Sequence, residues 1–270
     1  MDAIIRAAAV AGRFYPGHRD DLAHEIDAYL RAAPPQATAA LRPPKLLLVP
    51  HAGYVYSGPI AAGAYARLAP WRGHIERVVL LGPTHRVPVR GLALPSATAF
   101  DTPLGRVAVD RSAREALAGL PQVIVNDATH ADEHALEVQL PFLQRVLGSD
   151  FKVVPIAVGH AEPEAVAQVL ERLWGGDETL IVISSDLSHY LPYAEARARD
   201  SATIDRVLRL DPSFDHDEAC GATPMAGALL AARRHGLKPH LVDLRNSGDT
   251  AGDRRRVVGY ASVVFEVPLA

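Results

Sequence analysis

The chain has 270 residues, 49% of them hydrophobic and 22% charged, with a formal net charge of -3. That balance supplies a sizeable core and argues against disorder, and with no basic run denser than Arg254-Arg255-Arg256 it argues against a surface that tracks nucleic-acid phosphates. The length suits one large α/β domain over residues 1–270, and the lone cysteine, Cys220, cannot form an internal disulfide, which points to a reducing compartment, the cytoplasm.

In chain order, Met1 to Ala11 carries an early acid, Asp2, and only a mild apolar run before Gly12-Arg13-Phe14-Tyr15-Pro16, so it lacks the order of a signal peptide. An amphipathic stretch, Asp20 to Leu30, leads into a linker of Ala, Pro, Gln and Thr from Ala32 to Pro44. Apolar runs at Lys45–Val49, Val78–Leu81, Lys152–Val158, Leu180–Ile183 and Val257–Phe265 read as strands buried on both faces. Between them, Ile60–Leu68, Glu133–Leu147, Pro163–Trp174, Ala194–Leu208 and Pro224–His235 carry apolar residues three and four apart and read as helices. Gly91 to Val109 reads as an inserted hairpin, and Asn246 to Arg256, rich in Gly, Asp and Arg, as a break. The alternation predicts an α/β fold with a mainly parallel sheet flanked by helices on both faces. No run approaches the ~20 apolar residues that span a bilayer, so no membrane role is expected.

Three of these strands end alike, passing at once from apolar to ionisable residues: Leu48-Val49-Pro50-His51, Leu81-Gly82-Pro83-Thr84-His85 and Ile183-Ser184-Ser185-Asp186-Leu187-Ser188-His189. In open α/β sheets ligands bind beyond the carboxyl ends of the strands, so these ends are expected to share one crevice. Imidazole and thiolate suit iron, copper and zinc, whereas magnesium and calcium need mostly oxygen donors. His51 and His85 are therefore the leading ligand candidates. A lone histidine is more often an ordinary polar group, and two at matching strand ends shift that balance only modestly.

Cys220 precedes the helix expected from Pro224, whose positive end would favour a thiolate able to bind metal or attack an electrophile; the plain alternative is a small buried apolar group. Asp186 and His189 can form an acid/base and its orienting carboxylate, or add metal ligands, unless Asp186 merely caps a following helix. His130 and His134 are four apart, yet no H-E-x-x-H pattern is present, so Glu133 and His134 are read as pocket-wall or supporting groups. Dinucleotide, P-loop and nucleophile-elbow motifs are absent from the sequence.

These motifs in this order resemble the Memo family, whose bacterial and archaeal members are called AmmeMemoRadiSam system protein B. The likeness runs from Ala11-Gly12-Arg13-Phe14-Tyr15-Pro16 through Pro50-His51-Ala52-Gly53-Tyr54, Leu81-Gly82-Pro83-Thr84-His85, Thr102-Pro103-Leu104-Gly105 and Asp132-Glu133-His134. It continues through Glu137 to Leu140-Pro141, Ser184 to His189, Cys220-Gly221 and Gly259-Tyr260-Ala261-Ser262. The resemblance implies a fold similar to class III extradiol dioxygenases, with His51 and His85 at the positions of two imidazole ligands and His189 at the acid/base position. Cys220 then stands where the dioxygenases have a carboxylate, which separates the site from an ordinary dioxygenase, since a thiolate also suits copper or zinc and can itself be oxidised. Tyr54 falls in the same motif as His51 and is expected at the pocket. Arg86 follows His85 where some family members have a second histidine.

Three functions compete on this reading. The first is a metal-dependent redox enzyme, with Fe(II) foremost and copper or zinc as alternatives, held by His51, His85 and Cys220 beside His189 and Asp186. The second is a non-catalytic metal-binding or adaptor protein with the same pocket. The third is a hydrolase or transferase with Cys220 as nucleophile and His189 as base. The implied partners are an unidentified small-molecule or peptide ligand and, from the family's name, a radical-enzyme system.

Overall fold

A computed structural model describes residues 4–35, 42–213 and 215–268; Met1 to Ala3, including Asp2 of the leader reading, and residues 36–41 of the linker lie outside the described residues. Among the described residues twelve strands form one sheet: β1 (Ile5–Arg6), β2 (Leu46–Val49), β3 (Arg77–Pro83), β4 (Leu92–Leu94), β5 (Ala99–Thr102), β6 (Gly105–Val109), β7 (Val123–Val125), β8 (Lys152–Val158), β9 (Thr179–Ser184), β10 (His189–Leu191), β11 (Lys238–Asn246) and β12 (Val257–Glu266). The order is β1-β5-β6-β8-β3-β9-β2-β12-β10, with β11 on β12, β4 on β8 and β7 on β4. From β6 to β2 every pair is parallel, while β12 runs antiparallel to both β2 and β11. The predicted parallel centre is thus present, closed on one side by antiparallel strands.

Alternation along the strands sorts the core onto two faces. Leu47, Val49, Val78, Leu80, Leu180 and Val182 pack under the helices Arg19–Ala32, Tyr54–Tyr65 and Leu140–Leu147. Leu46, Leu48, Val79, Leu81, Ile181 and Ile183 pack under Pro163–Leu173, Tyr193–Leu208 and Ala222–Arg234. No helix among the described residues is long and apolar enough to cross a membrane.

Three differences from the sequence reading have physical causes. The helix expected over Glu133–Leu147 is two pieces, His134–Glu137 and Leu140–Leu147. Pro141 has no N–H to continue the first piece, and its ring would press on the carbonyl of Glu137. The helix expected at Ile60–Leu68 starts earlier, at Tyr54, and gives way at Ala66–Trp71 to a tighter helix containing Pro70. Strand β11 was not apparent in the sequence because it is an edge strand with an irregular register between Leu241 and Asp243, so its polarity does not alternate cleanly. The predicted hairpin is β5–β6, and the predicted break after Asn246 holds a short turn closed by a reciprocal Asn246–Asp249 capping box.

Within this frame the segment from His130 to Glu137 is fixed by a buried charge. Arg6 donates to the carbonyls of His130 and Glu133 and pairs with the Glu137 carboxylate, which is fully buried. The other hydrogen bonds to that carboxylate come from Ala9 N–H (2.8 Å), Val10 N–H (3.0 Å) and the Tyr15 hydroxyl (2.5 Å). Removing one member of such a pair strands the other charge without water. Glu137→Ala is expected to cost about 3–5 kcal/mol, read as a lower thermal midpoint and denaturant midpoint.

His130, the first residue of that segment, is buried, with Nε2 2.9 Å from the Ala93 carbonyl and Nδ1 without a partner among the described residues. Burial lowers its pKa to about 4. The unfolded chain therefore takes up the proton first as pH falls through 6.5, so the stability contributed by neutral His130 declines between there and about pH 4. His130→Gln should flatten the slope of stability against pH over that window, measured by denaturant titration of the metal-free protein.

Candidate metal centre

Strands β2, β9 and β3 are neighbours, with Val49 opposite Ser184 and Leu81 opposite Ile183. His51, Asp186 and His85 therefore leave adjacent carboxyl ends, as the repeated strand-end pattern implies. The His134 turn packs onto β3 at Gly82, where an added Cβ would lie 3.0 Å from Leu136 Cδ2 and 3.3 Å from Ala135 Cβ. Among the described residues, His51, His85 and His134 each offer a ligand atom within 4.8 Å of the others.

The hydrogen bonds around His51 fix its tautomer. Ser184 Oγ donates its one proton to the Ala135 carbonyl at 2.6 Å and accepts from Gln139 Nε2 at 2.8 Å. His51 Nδ1, 3.0 Å from the same oxygen, must then be the donor, which leaves a lone pair on Nε2. Gln139 is itself held by the Tyr65 hydroxyl at 2.8 Å and also donates to the Pro50 carbonyl at 2.9 Å. Asp186 accepts from the backbone N–H groups of His51 (2.7 Å) and Ala52 (3.3 Å), so it secures the His51 loop. No helix follows Asp186; β10 does, so the helix-cap alternative fails.

Glu133 does for His85 what Ser184 does for His51. It accepts from the His85 backbone N–H at 2.5 Å and lies 2.8 Å from Nδ1, again leaving Nε2 free. Burial alone would raise the Glu133 carboxyl, but the bonds from His85 and from the Ala135 N–H hold it at about 2. Burial, joined by the neighbouring His85, lowers His51 to about 3. Burial, joined by His51, lowers His134 to about 4. Both rings are neutral near pH 7 and able to act as ligands.

His134 stacks on His85 with centroids 4.6 Å apart and packs against Phe14 at 4.6 Å, so the N-terminal motif forms a wall of the site. Tyr54 lies beneath it: the ring packs on Tyr15 and Phe142, and the hydroxyl donates to the Val138 carbonyl at 2.6 Å. Arg86 is exposed, and His189 is half-buried on β10.

Cys220 Sγ sits 3.3 Å from His51 Nε2, and it is absent from the three-imidazole group. The expected helix does begin nearby, at Ala222, but the thiol is not eased toward ionisation. Burial and then the Asp186 charge push it up to about 12. Desolvation outweighs the helix end here.

Sequence reasoning gave no role to Ser184, Gln139, Glu137 or Arg6, which hold the imidazoles in place. Ser184 and Glu137 fall inside the quoted motifs, but nothing local shows that Arg6 meets Glu137. A cavity of about 610 Å³ elsewhere, lined by Leu94, Pro95, Thr98, Arg111, Arg114 and Pro155 among others, contains none of the imidazoles.

A family model described as "Memo-like protein" matches residues 6–264. A "MEMO1 family protein" of Aquifex aeolicus is 39% identical, covering 97% of this chain and 99% of that protein. Others from Sulfolobus acidocaldarius and Archaeoglobus fulgidus are 35% and 37% identical, each covering 97% of this chain and at least 99% of their own length.

Nitrogen NMR of the metal-free protein should find His51 and His85 protonated at Nδ1. Ser184→Ala, which deletes the acceptor of the His51 proton, should produce a mixture of tautomers at His51 and leave His85 unchanged.

Proposed function

This chain belongs to the Memo family, whose fold is like that of the class III extradiol dioxygenases, and we propose that it binds a transition metal through His51, His85 and His134 and uses the site for redox chemistry. The observation that carries the reading is that His51, His85 and His134 each offer a ligand atom within 4.8 Å of the others, while Nδ1 of His51 and of His85 is engaged by Ser184 and Glu133. Small ring rotations would let the three share an ion whose bonds to imidazole are about 2.0–2.1 Å. Imidazoles with a thiol beside them do not suit the hard cations, which need mostly oxygen donors, and Fe(II) is the first expectation by likeness of fold, with copper or zinc as alternatives.

When bound, the ion would supply Lewis acidity and, if iron or copper, electron transfer. The protein's own part is to aim the ligand nitrogens and, by burial, to keep the His51 and His134 rings neutral. Ser184 and Glu133 hold the Nδ1 protons, and Asp186 holds the His51 backbone. His189 is the group proposed to accept or return a proton beside the ion, since it is half-buried and follows Asp186 by three residues at the carboxyl end of β9. Cys220, touching His51 Nε2, is proposed as a further donor, because a metal stabilises the thiolate that burial alone disfavours. The alternative of Cys220 as a nucleophile served by His189 has less support, since the thiol meets His51 and is protonated by preference.

Anaerobically purified protein is expected to carry close to one transition metal per chain by elemental analysis. His51→Ala should abolish that uptake, and unchanged metal content would sink the proposal. Ser184→Ala should weaken metal affinity roughly 10–100-fold. A thiolate charge-transfer band lost in Cys220→Ser would establish sulfur ligation, and metal binding without oxygen consumption would favour a sequestering or adaptor role.

A further inference from the structure

A further buried carboxylate, Asp200, takes no part in the ligand set described above. Asp200 projects from the helix Tyr193–Leu208 and is 2% exposed. Its Oδ1 accepts the Ser188 N–H at 3.0 Å, one residue before His189. The carboxylate occupies the space over Gly259: a Cβ added there would lie 2.0 Å from Oδ2 and 2.5 Å from Cγ. Gly259 in turn donates to the Ser188 carbonyl at 2.9 Å and accepts the Leu187 N–H at 2.8 Å. The next register pair is His189 opposite Val258.

The chain entering His189 is thus clasped between β12 and one carboxylate, and the clasp closes only because residue 259 has no side chain. Burial raises the Asp200 carboxyl above the usual range, a cost partly offset by its contacts with Ser188 and by the nearby His189. A buried acid whose one backbone bond is to the residue preceding the acid/base candidate is placed to set that candidate's position. Tyr190, just beyond it, is held at φ 61, a left-handed backbone that a non-glycine residue adopts only when its surroundings enforce it.

We propose that Asp200 is a positioning residue for His189, acting through the Ser188 amide and the slot left open by Gly259. The inference rests on the reading of His189 as the proton-transfer group.

The test uses the full-length, metal-free chain and follows the ring resonances of its histidines. Asp200→Ala, which removes the clasp, and Gly259→Ala, which expels the carboxylate from its slot, are each expected to shift the His189 ring more than the His51 or His85 ring. Asp200→Asn keeps an acceptor for the Ser188 N–H and should restore His189 close to its wild-type position. A folded Asp200→Ala or Gly259→Ala protein with His189 unmoved would overturn the assignment. So would equal movement of all three rings, the outcome of a general structural role. If both of those variants fail to fold, Asp200→Asn decides the matter: a His189 shift larger than at His51 and His85 overturns the proposal, and an unmoved His189 supports it. Because no metal is present, absence of metal from the wild-type protein would count against the metal site alone, while an unmoved His189 in folded Asp200→Ala or Gly259→Ala would count against Asp200 alone.

Discussion

The Glu137 carboxylate is carried into a place without solvent, and its tolerance there depends on Arg6, two backbone amides of the N-terminal segment and the Tyr15 hydroxyl. A buried charge without such partners costs several kcal/mol, so the elements that supply them are bound to Glu137 as firmly as it is bound to them. Arg6 extends the constraint by taking the carbonyls of His130 and Glu133. One ion pair thereby fixes the segment that carries both the carboxylate behind His85 and the imidazole of His134. It also draws in the N-terminal loop, whose Phe14 ring packs on His134.

From that anchor the site is organised by proton bookkeeping rather than by the imidazoles themselves. Ser184 has one proton and spends it on Ala135, which obliges His51 to donate from Nδ1. Glu133, held ionised, obliges His85 to do likewise. Two rings from different strands are thus left with the same nitrogen free, and the sheet order β3-β9-β2 brings them together. The orientation of each imidazole depends on a residue behind it, Ser184 for His51 and Glu133 for His85.

Cys220 illustrates opposing local effects. A helix begins two residues later, which by itself favours a thiolate, yet removal from water and the Asp186 charge carry the thiol the other way. Its contact with His51 Nε2 places this protonated thiol directly beside the imidazole group.

The sequence by itself determined the α/β alternation, the parallel centre of the sheet and the strand ends from which His51, His85 and Asp186 emerge, because apolar periodicity and the change from apolar to ionisable residues are local signals. It also located the N-terminal motif and Cys220-Gly221 through family likeness. It could not show the break at Glu137, although Pro141 contained the reason, nor the edge strand β11, whose half-exposed residues follow no clean period. Only the tertiary structure decided that His134 joins the imidazoles while Tyr54 lies beneath them, that Arg6 reaches Glu137, and that Ser184 and Glu133 choose the tautomers. Each of these is a contact between residues far apart in the chain, set by strand order and by the accounting of buried protons, and neither quantity is written in any local stretch of sequence.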